Sequence, residues 1–192
     1  MLKFGRIVFK YRDYTPIPFV IAMLIYAKAT KETLIVGTIC LLIGELIRFT
    51  GVAYIGGVSR TRTFSTNQKL ITGGIFSHVR NPLYIGNLLL STGLIIFSNV
   101  HLYFTIGFVI FFFIQYIPMV RWEESNLKNV FGADFEEYCN KVPRWIPSLV
   151  PKMPASDKVT GEYLAAAKSE KSTVLAAVIL YGLILWRSGI WI

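Results

Sequence analysis

Residues 34–55, LIVGTICLLIGELIRFTGVAYI, decide the fold. The run matches the ~20 mostly apolar residues that an α-helix needs to cross a bilayer core. It carries two charges near its middle, Glu45 and Arg48. Insertion scales charge about 2.5–3.5 kcal/mol for an isolated charge at that depth. Three residues apart on a helix, the two share a face and can pair, which lowers that cost. The pair reads either as a structural contact facing the bundle interior or as the wall of a polar pocket.

Outward from this run, residues 83–98 with their flanks and residues 100–120 make two more spans, and residues 173–192 make a fourth. Residues 16–29 are shorter and cross only where the bilayer thins or neighbouring residues extend the helix. The expected fold class is therefore all-α, a multi-pass transmembrane helix bundle of about five spans. The composition agrees. Over 192 residues, 54% are apolar and 16% charged, against about 45–50% and about 25% in soluble domains. No G-x-y period, only two cysteines and 15% aromatics exclude collagen, disulfide-scaffold and disordered chains. Cys40 and Cys139 show no metal-ligand spacing, so no metal is expected.

The net charge of +9 would point to nucleic acid in a soluble protein. Here the charges lie between apolar runs, where topology and anionic lipid headgroups account for them and no nucleic-acid partner is expected. Lys and Arg number four in residues 1–15, four in 59–81 and eight in 121–172. The turn at Lys28–Lys31 has two and the turn at Asn99 none. That alternation places the N-terminus and the basic segments in the cytoplasm and the C-terminus on the opposite side. Lys3, Arg6, Lys10 and Arg12 before the apolar 16–29 run, with Ala27-Lys28-Ala29 after it, imitate a signal peptide. Pro16 and Pro18 interrupt the apolar start, and the segment reads as retained. Phe4, Ile7, Val8 and Tyr11 share one helical face, which fits a short interfacial helix on anionic headgroups; a basic terminus serving topology alone fits equally.

Four parts are expected: an interfacial basic segment, 1–15; a transmembrane core, 16–147, with its motifs in 34–147; a cytoplasmic Pro-containing linker, 148–172; and a C-terminal span, 173–192. Ser98-Asn99-Val100 makes a tight hairpin. Pro118 predicts a kink or an opened last turn in the 100–120 span. A polar helix is expected over 123–139, interrupted at Gly132. Pro143, Pro147, Pro151 and Pro154 forbid a long helix, and a helix restarts over 161–171, either separate from the last span or continuous with it. The last span reads as an addition outside the motif-bearing part.

The chemistry-bearing residues fall in or beside the basic segments. Gln68-Lys69-Leu70-Ile71-Thr72-Gly73-Gly74-Ile75-Phe76 contains a Gly pair that lets a loop fold tightly on a ligand. In Arg80-Asn81-Pro82-Leu83-Tyr84-Ile85-Gly86-Asn87, Arg80 can grip a carboxylate with two hydrogen bonds. Pro82 suits the first turn of a helix, whose free N–H groups favour an anion. Glu123-Glu124, preceded by Arg121, can bind a cationic group or simply favour a helix N-terminus.

The ordered set of Arg-x-Pro-x-Tyr-x-Gly, a hairpin, Glu-Glu, Phe131-Gly132-x-x-Phe135-x-x-Tyr138 and Val142-Pro143-Arg144 resembles the integral-membrane methyltransferases. That group holds the isoprenylcysteine carboxyl methyltransferases and the phospholipid N-methyltransferases. Arg48 and the 56–63 exit of its span resemble the group's pattern too. The resemblance covers about residues 34–147 and implies S-adenosylmethionine as cofactor, in a cytoplasmic pocket. Carried over by position, its contacts are Gln68, Leu70, Thr72, Gly74, Ile75, Phe76, Arg80, Asn81 and Tyr84. Most of the group has His where this chain has Asn81; Asn donates a hydrogen bond but does not titrate, which argues against a required imidazole base. Glu123 and Glu124 match the acidic pair of the catalytic pocket, and Arg121 is the candidate for holding an anionic group of the substrate. The implied acceptor is a lipid or prenylated small molecule, either an isoprenylcysteine carboxylate or a phospholipid amine. Methyl transfer from a sulfonium needs alignment and exclusion of water more than a proton relay, so the absence of a Ser-His-Asp set does not count against an enzyme. Two other classes fit parts of the chain. A membrane sterol or enone reductase shares a similar C-terminal core but carries more spans, and a small transporter or structural subunit should show paired halves or broken helices.

Overall fold

The computed structural model describes residues 2–55, 70–153 and 162–190. Gln68 and the 56–63 segment lie outside those residues. The described residues form seven α-helices and a short 3-10 turn at Gly74–Ser77, with no strand among them. The helices are α1 (Leu2–Tyr11), α2 (Ile17–Tyr26), α3 (Lys31–Ile55), α4 (Pro82–Ser98), α5 (Leu102–Phe131), α6 (Ala133–Lys141) and α7 (Tyr163–Ser188). Three are long and apolar enough to cross a membrane: α3, α5 and α7, with mean hydropathies of 1.8, 1.9 and 1.3. α2 and α4 are shorter apolar helices. Of the apolar windows of α3, α5 and α7, only 22%, 28% and 11% is buried inside the chain. A water-soluble monomer does not leave apolar surface on that scale uncovered. The exposed rows Ile35, Ile39, Leu42 and Leu46 on α3, and Leu175, Val178, Ile179 and Trp186 on α7, are therefore lipid-facing.

α3 and α4 make the closest helix pair, and glycine spacing is the reason. Gly37, Gly44 and Gly51 recur every seven residues on α3; Gly37 meets Gly93 of α4, Gly44 meets Gly86, and Gly51 meets Leu83. A Cβ at Gly44 would lie 2.6 Å from the Leu90 nitrogen, and one at Gly93 would lie 2.7 Å from the Leu41 nitrogen. Small residues in register let two backbones touch where lipid supplies no hydrophobic drive. Met23, Leu94, Ile95, Phe97, Phe108, Phe112 and Ile184 from α2, α4, α5 and α7 fill the adjoining core.

The two ends of the bundle are distinct. At one, Asn99 adopts φ 50° to close the α4–α5 hairpin, and its Nδ2 donates to the Lys28 carbonyl at 2.9 Å. The Lys28 N–H donates to the Ser98 carbonyl, and the Ser188 hydroxyl accepts from the Ala29 N–H at 3.0 Å. At the other end, the 70–81 loop, the 142–153 segment, α6 and the start of α7 gather. The Glu162 N–H there donates to the Ala53 carbonyl at 2.9 Å.

One boundary differs from the sequence expectation. The span expected to stop at residue 120 continues as one helix to Phe131, with Pro118 inside it. Arg121-Trp122-Glu123-Glu124 contains no helix breaker, and the break comes at Gly132, whose φ of +53° disfavours any side chain. α1 docks beside the proline: a Cβ on Gly5 would fall 2.3 Å from the Pro118 carbonyl oxygen, and Phe9 packs on Trp122 with ring centroids 5.0 Å apart. The helical restart after residue 161 and the last span are one helix, α7, 26 residues long.

Candidate active site

The site is built where the head of α4 meets the C-terminal half of α5. The 70–81 loop approaches it in a fixed shape. Gly74, at φ +58°, lies under the Tyr54 ring so closely that a Cβ would sit 2.2 Å from Cζ. Its backbone geometry and its contact both demand glycine. The turn that follows is tied to the chain's later part. Tyr138 donates from its hydroxyl to the Phe76 carbonyl at 2.8 Å, and burial holds that phenol protonated well above its ordinary range. The Arg80 N–H donates to the Pro143 carbonyl at 2.9 Å, and the Ser148 and Lys152 N–H groups donate to the carbonyls of His78 and Ser77. His78 donates from Nδ1 to the Ser148 carbonyl at 2.8 Å. Asn81 donates from Nδ2 to the Arg144 carbonyl at 3.2 Å, so the amide at this position clamps the Pro-rich segment.

These ties bring Arg80 and Arg144 to one carboxylate, Glu124. Arg144 donates from Nε at 3.1 Å and from Nη2 at 2.7 Å, a two-pronged grip. Arg80 Nη1 lies 3.4 Å from Oε1, which Arg144 Nε also reaches. Arg80 and Glu124 are almost buried, at 11% and 12% exposure, and Arg80 Nε is buried with no hydrogen-bond partner. The cluster forms the wall of a cavity of about 620 Å³, which Arg121, Lys128, Phe135 and Cys139 also line. Four basic side chains against two acidic ones, Glu124 and Glu136, make it a cation-rich cleft. Lys128 is engaged with Glu136 at 2.6 Å. Burial raises the Cys139 thiol above its usual range, so the cleft holds it as a neutral thiol.

Glu123 faces elsewhere. Successive residues of a helix project about 100° apart, and Glu123 turns into the bundle, where the Tyr84 hydroxyl donates to it at 2.5 Å. The Tyr84 ring packs edge-on against Tyr116 at 5.0 Å, and Tyr116 stacks on Phe112 at 3.9 Å. Behind them lies a polar network the local spacing did not predict in full. Arg48 is 3.9 Å from Glu45, but its tight partner is Glu170 of α7, at 2.7 Å. Arg48 Nη1 also donates to Asn87 Oδ1.

The structure therefore brings together Arg80 with Glu124, and Tyr84 with Glu123, and it sends the two pairs to different faces of α5. Arg121 lines the cleft beside Glu124. Leu70 packs into the apolar cluster around Phe135 and Val142. Thr72 and Phe76 are buried, and Ile75 sits in the 3-10 turn. Of the expected cofactor contacts among the described residues, Arg80 is the one that lines this cleft. Sequence reasoning gave Arg144 no role, although it stands in the Val-Pro-Arg motif. It also gave none to Glu170, which no local spacing connects to Arg48.

Residues 33–134 match the family described as phospholipid methyltransferase. The chain belongs to that family. It is similar to protein-S-isoprenylcysteine O-methyltransferase B of Arabidopsis thaliana, at 30% identity over 125 residues, 58% of this chain and 57% of that protein. Similar enzymes of Schizosaccharomyces pombe, at 31% identity over 125 residues, and Saccharomyces cerevisiae, at 30% over 129, cover 62% and 64% of this chain. Those matches take in 50% and 52% of the two yeast proteins, so the chain spans about half the length of these relatives. No solved structure matches it. The family match spans α3, α4 and α5, which carry Arg48, Tyr84, Glu123 and Glu124, and the loop before α4 that carries Arg80. Arg144, α7 and Glu170 lie beyond it.

Proposed function

We propose that the chain is an integral-membrane, S-adenosylmethionine-dependent methyltransferase acting on a prenylated cysteine carboxylate. The observation that carries the reading is the Arg80–Glu124–Arg144 cluster on a cation-rich cleft, two of whose members, Arg80 and Glu124, lie in the stretch that matches the methyltransferase family. About 620 Å³ lies within the 300–1,000 Å³ range of small-molecule sites. The unpartnered, buried Arg80 Nε is a donor awaiting an acceptor, and it suits the carboxylate of the cofactor's methionine part. Bound there, the cofactor supplies a methyl group already activated by the sulfonium. What remains for the protein is alignment and dehydration. Arg121 and Arg144 supply charge for an anionic acceptor group, Glu124 holds Arg80 and Arg144 in place, and the Tyr84–Glu123 pair fixes α4 against α5 beneath the cleft. A carboxylate acceptor attacks without losing a proton, so no base is required of Asn81.

In this reading five helices cross the membrane, α2 and α4 among them. The basic end of the bundle is cytoplasmic, so the cofactor enters from the cytosol and the prenyl chain enters sideways from the bilayer. The N-terminus lies on the cytoplasmic side and the C-terminus opposite. The test uses the full chain in lipid nanodiscs with S-adenosyl-[methyl-³H]methionine and either N-acetyl-S-farnesylcysteine or phosphatidylethanolamine. Label in the farnesylcysteine product that mild base releases as methanol identifies a methyl ester and supports the proposal. Label fixed in the phospholipid amine would move the acceptor to the other branch, and neither transfer nor cofactor binding would overturn the reading.

A further inference from the structure

We propose that Glu170, on the last helix, is a positioning residue for the Tyr84–Glu123 pair, acting through Arg48, Asn87 and Tyr116; its catalytic consequence rests on the function proposed above. Arg48 lies inside an apolar helix and needs a partner. Glu45, one turn away, gives it only a long ion pair, 3.9 Å from Nε, and neither of its buried oxygens makes a hydrogen bond. Glu170 comes from 122 residues further along the chain. Its side chain is 3% exposed, and Oε2 accepts from Arg48 Nε at 3.2 Å and from Nη2 at 2.7 Å. Two donors on one edge fix the plane of the guanidinium.

With that plane fixed, Nη1 points at Asn87 and donates to Oδ1. An Asn carboxamide has one acceptor end and one donor end, so occupying Oδ1 sets the direction of Nδ2, which reaches the Tyr116 hydroxyl at 3.4 Å. Tyr116, held also by its stack on Phe112 at 3.9 Å, presents its ring at a 70° angle to Tyr84, 5.0 Å away. Tyr84 in turn donates to Glu123. Asn87 and Tyr84 stand one turn apart on α4, so a shift in one moves the other. The chain of contacts runs from α7 through α3, α4 and α5 and ends at a carboxylate next to Glu124. α7 lies outside the family match, and in this arrangement it is more than a membrane anchor.

The experiment uses the full chain with ¹³Cζ-labelled tyrosine in nanodiscs, with the Tyr84 and Tyr116 signals assigned through Tyr84→Phe and Tyr116→Phe. Glu170→Leu is compared with Glu170→Asp, which keeps the charge, and with Ile184→Ala. Ile184 is fully buried on the same helix, in the apolar cluster that Phe112 and Tyr116 also join, and it makes none of the relay's hydrogen bonds, so its truncation loosens α7 while leaving those bonds in place. Glu170→Leu should shift both tyrosine signals and lower kcat on N-acetyl-S-farnesylcysteine about tenfold, with KM for S-adenosylmethionine changed less than about twofold. Glu170→Asp should restore the signals and most of the rate, and Ile184→Ala should lower Tm with both signals in place. Unmoved signals in Glu170→Leu, or equal shifts in Ile184→Ala, would overturn the proposal. Should the Leu variant not fold, the isosteric Glu170→Gln is judged by the same criteria. The spectra decide the relay without turnover, so an inactive wild-type chain would sink the functional reading and still leave the positioning claim decided.

Discussion

Glu124→Ala is the perturbation that separates structure from chemistry at this site. The carboxylate is held by Arg144 at 2.7 and 3.1 Å and by Arg80 at 3.4 Å. Removing it leaves two guanidinium groups facing each other with no anion between them. Breaking a fully buried ion pair costs about 3–5 kcal/mol, and breaking an exposed one about 0–1 kcal/mol. Arg80 and Glu124 are 11% and 12% exposed, but Arg144 is 36% exposed, which puts the cost near 2 kcal/mol. For a chain of this size that lowers Tm by about 4–8 °C. It leaves the fold in place, because ~2 kcal/mol is a fraction of a typical 5–15 kcal/mol. Methyl transfer should fall about a hundredfold, the penalty expected when reacting groups lose their alignment. Thermal unfolding followed by tryptophan fluorescence, run on Glu124→Ala, Arg144→Ala and the double variant, measures the pair directly. The cycle should show a coupling of at least ~1 kcal/mol. Additivity within about 0.3–0.5 kcal/mol would mean that the contacts carry no energy. Undiminished methyl transfer would remove Glu124 from the site.

Three further outcomes test other parts of the argument. Gly86→Val should prevent a native bundle, since even a Cβ there meets the Gly44 carbonyl oxygen at 2.8 Å and overpacking costs about 1–3 kcal/mol or more; size-exclusion chromatography and circular dichroism report it, and a monodisperse, helical variant with unchanged Tm would contradict the close α3–α4 packing. Tyr138→Phe removes the donor to the Phe76 carbonyl and should cost about 1–2 kcal/mol, while amide hydrogen exchange rises in residues 74–79; unchanged exchange would show that the loop is held without it. Because burial raises the Cys139 thiol, its thiolate should appear at higher pH than that of an exposed cysteine. Iodoacetamide labelling, followed by mass spectrometry, should lag a glutathione standard at neutral pH and catch up as pH rises; equal rates at neutral pH would refute the buried-thiol assignment.

The fold was legible wherever a span advertises itself through apolar length, and the Asn99 hairpin wherever turn chemistry does. It was not legible at residue 120, where hydropathy ends but helix geometry does not: polarity marks the edge of the membrane, whereas only Gly132 breaks the backbone. The site was half legible. Arg80, Tyr84, Glu123 and Glu124 announce themselves as polar residues at the ends of apolar runs. Their pairing does not, because adjacency in sequence suggests one acidic patch and a helix turns neighbours through about 100°. Local spacing offered Glu45 as the partner of Arg48. The structure gives Arg48 to Glu170, a choice made by how α7 packs against α3 and open to no periodicity argument.

The split of Glu123 from Glu124 explains how one helix can serve two environments. In the C-terminal half of α5, one carboxylate, Glu124, stays in a polar cleft, and it does so between two arginines. Its neighbour must hold the bundle together beside lipid, where an unpaired charge is expensive, and it does so against a tyrosine hydroxyl. Without the Tyr84 hydroxyl, the Glu123 carboxylate would face the Tyr84 ring with no donor from it, and without Glu124, Arg80 and Arg144 would stand in the cleft with no shared anion. The same logic places the remaining charge. Arg48, deep in α3, can be kept only where another helix brings it a carboxylate, and α7 supplies Glu170 on the face turned towards α3. The polar residues that look scattered along the chain thus converge on one junction, between the head of α4 and the lower half of α5, and the apolar helices around them serve to bring them there.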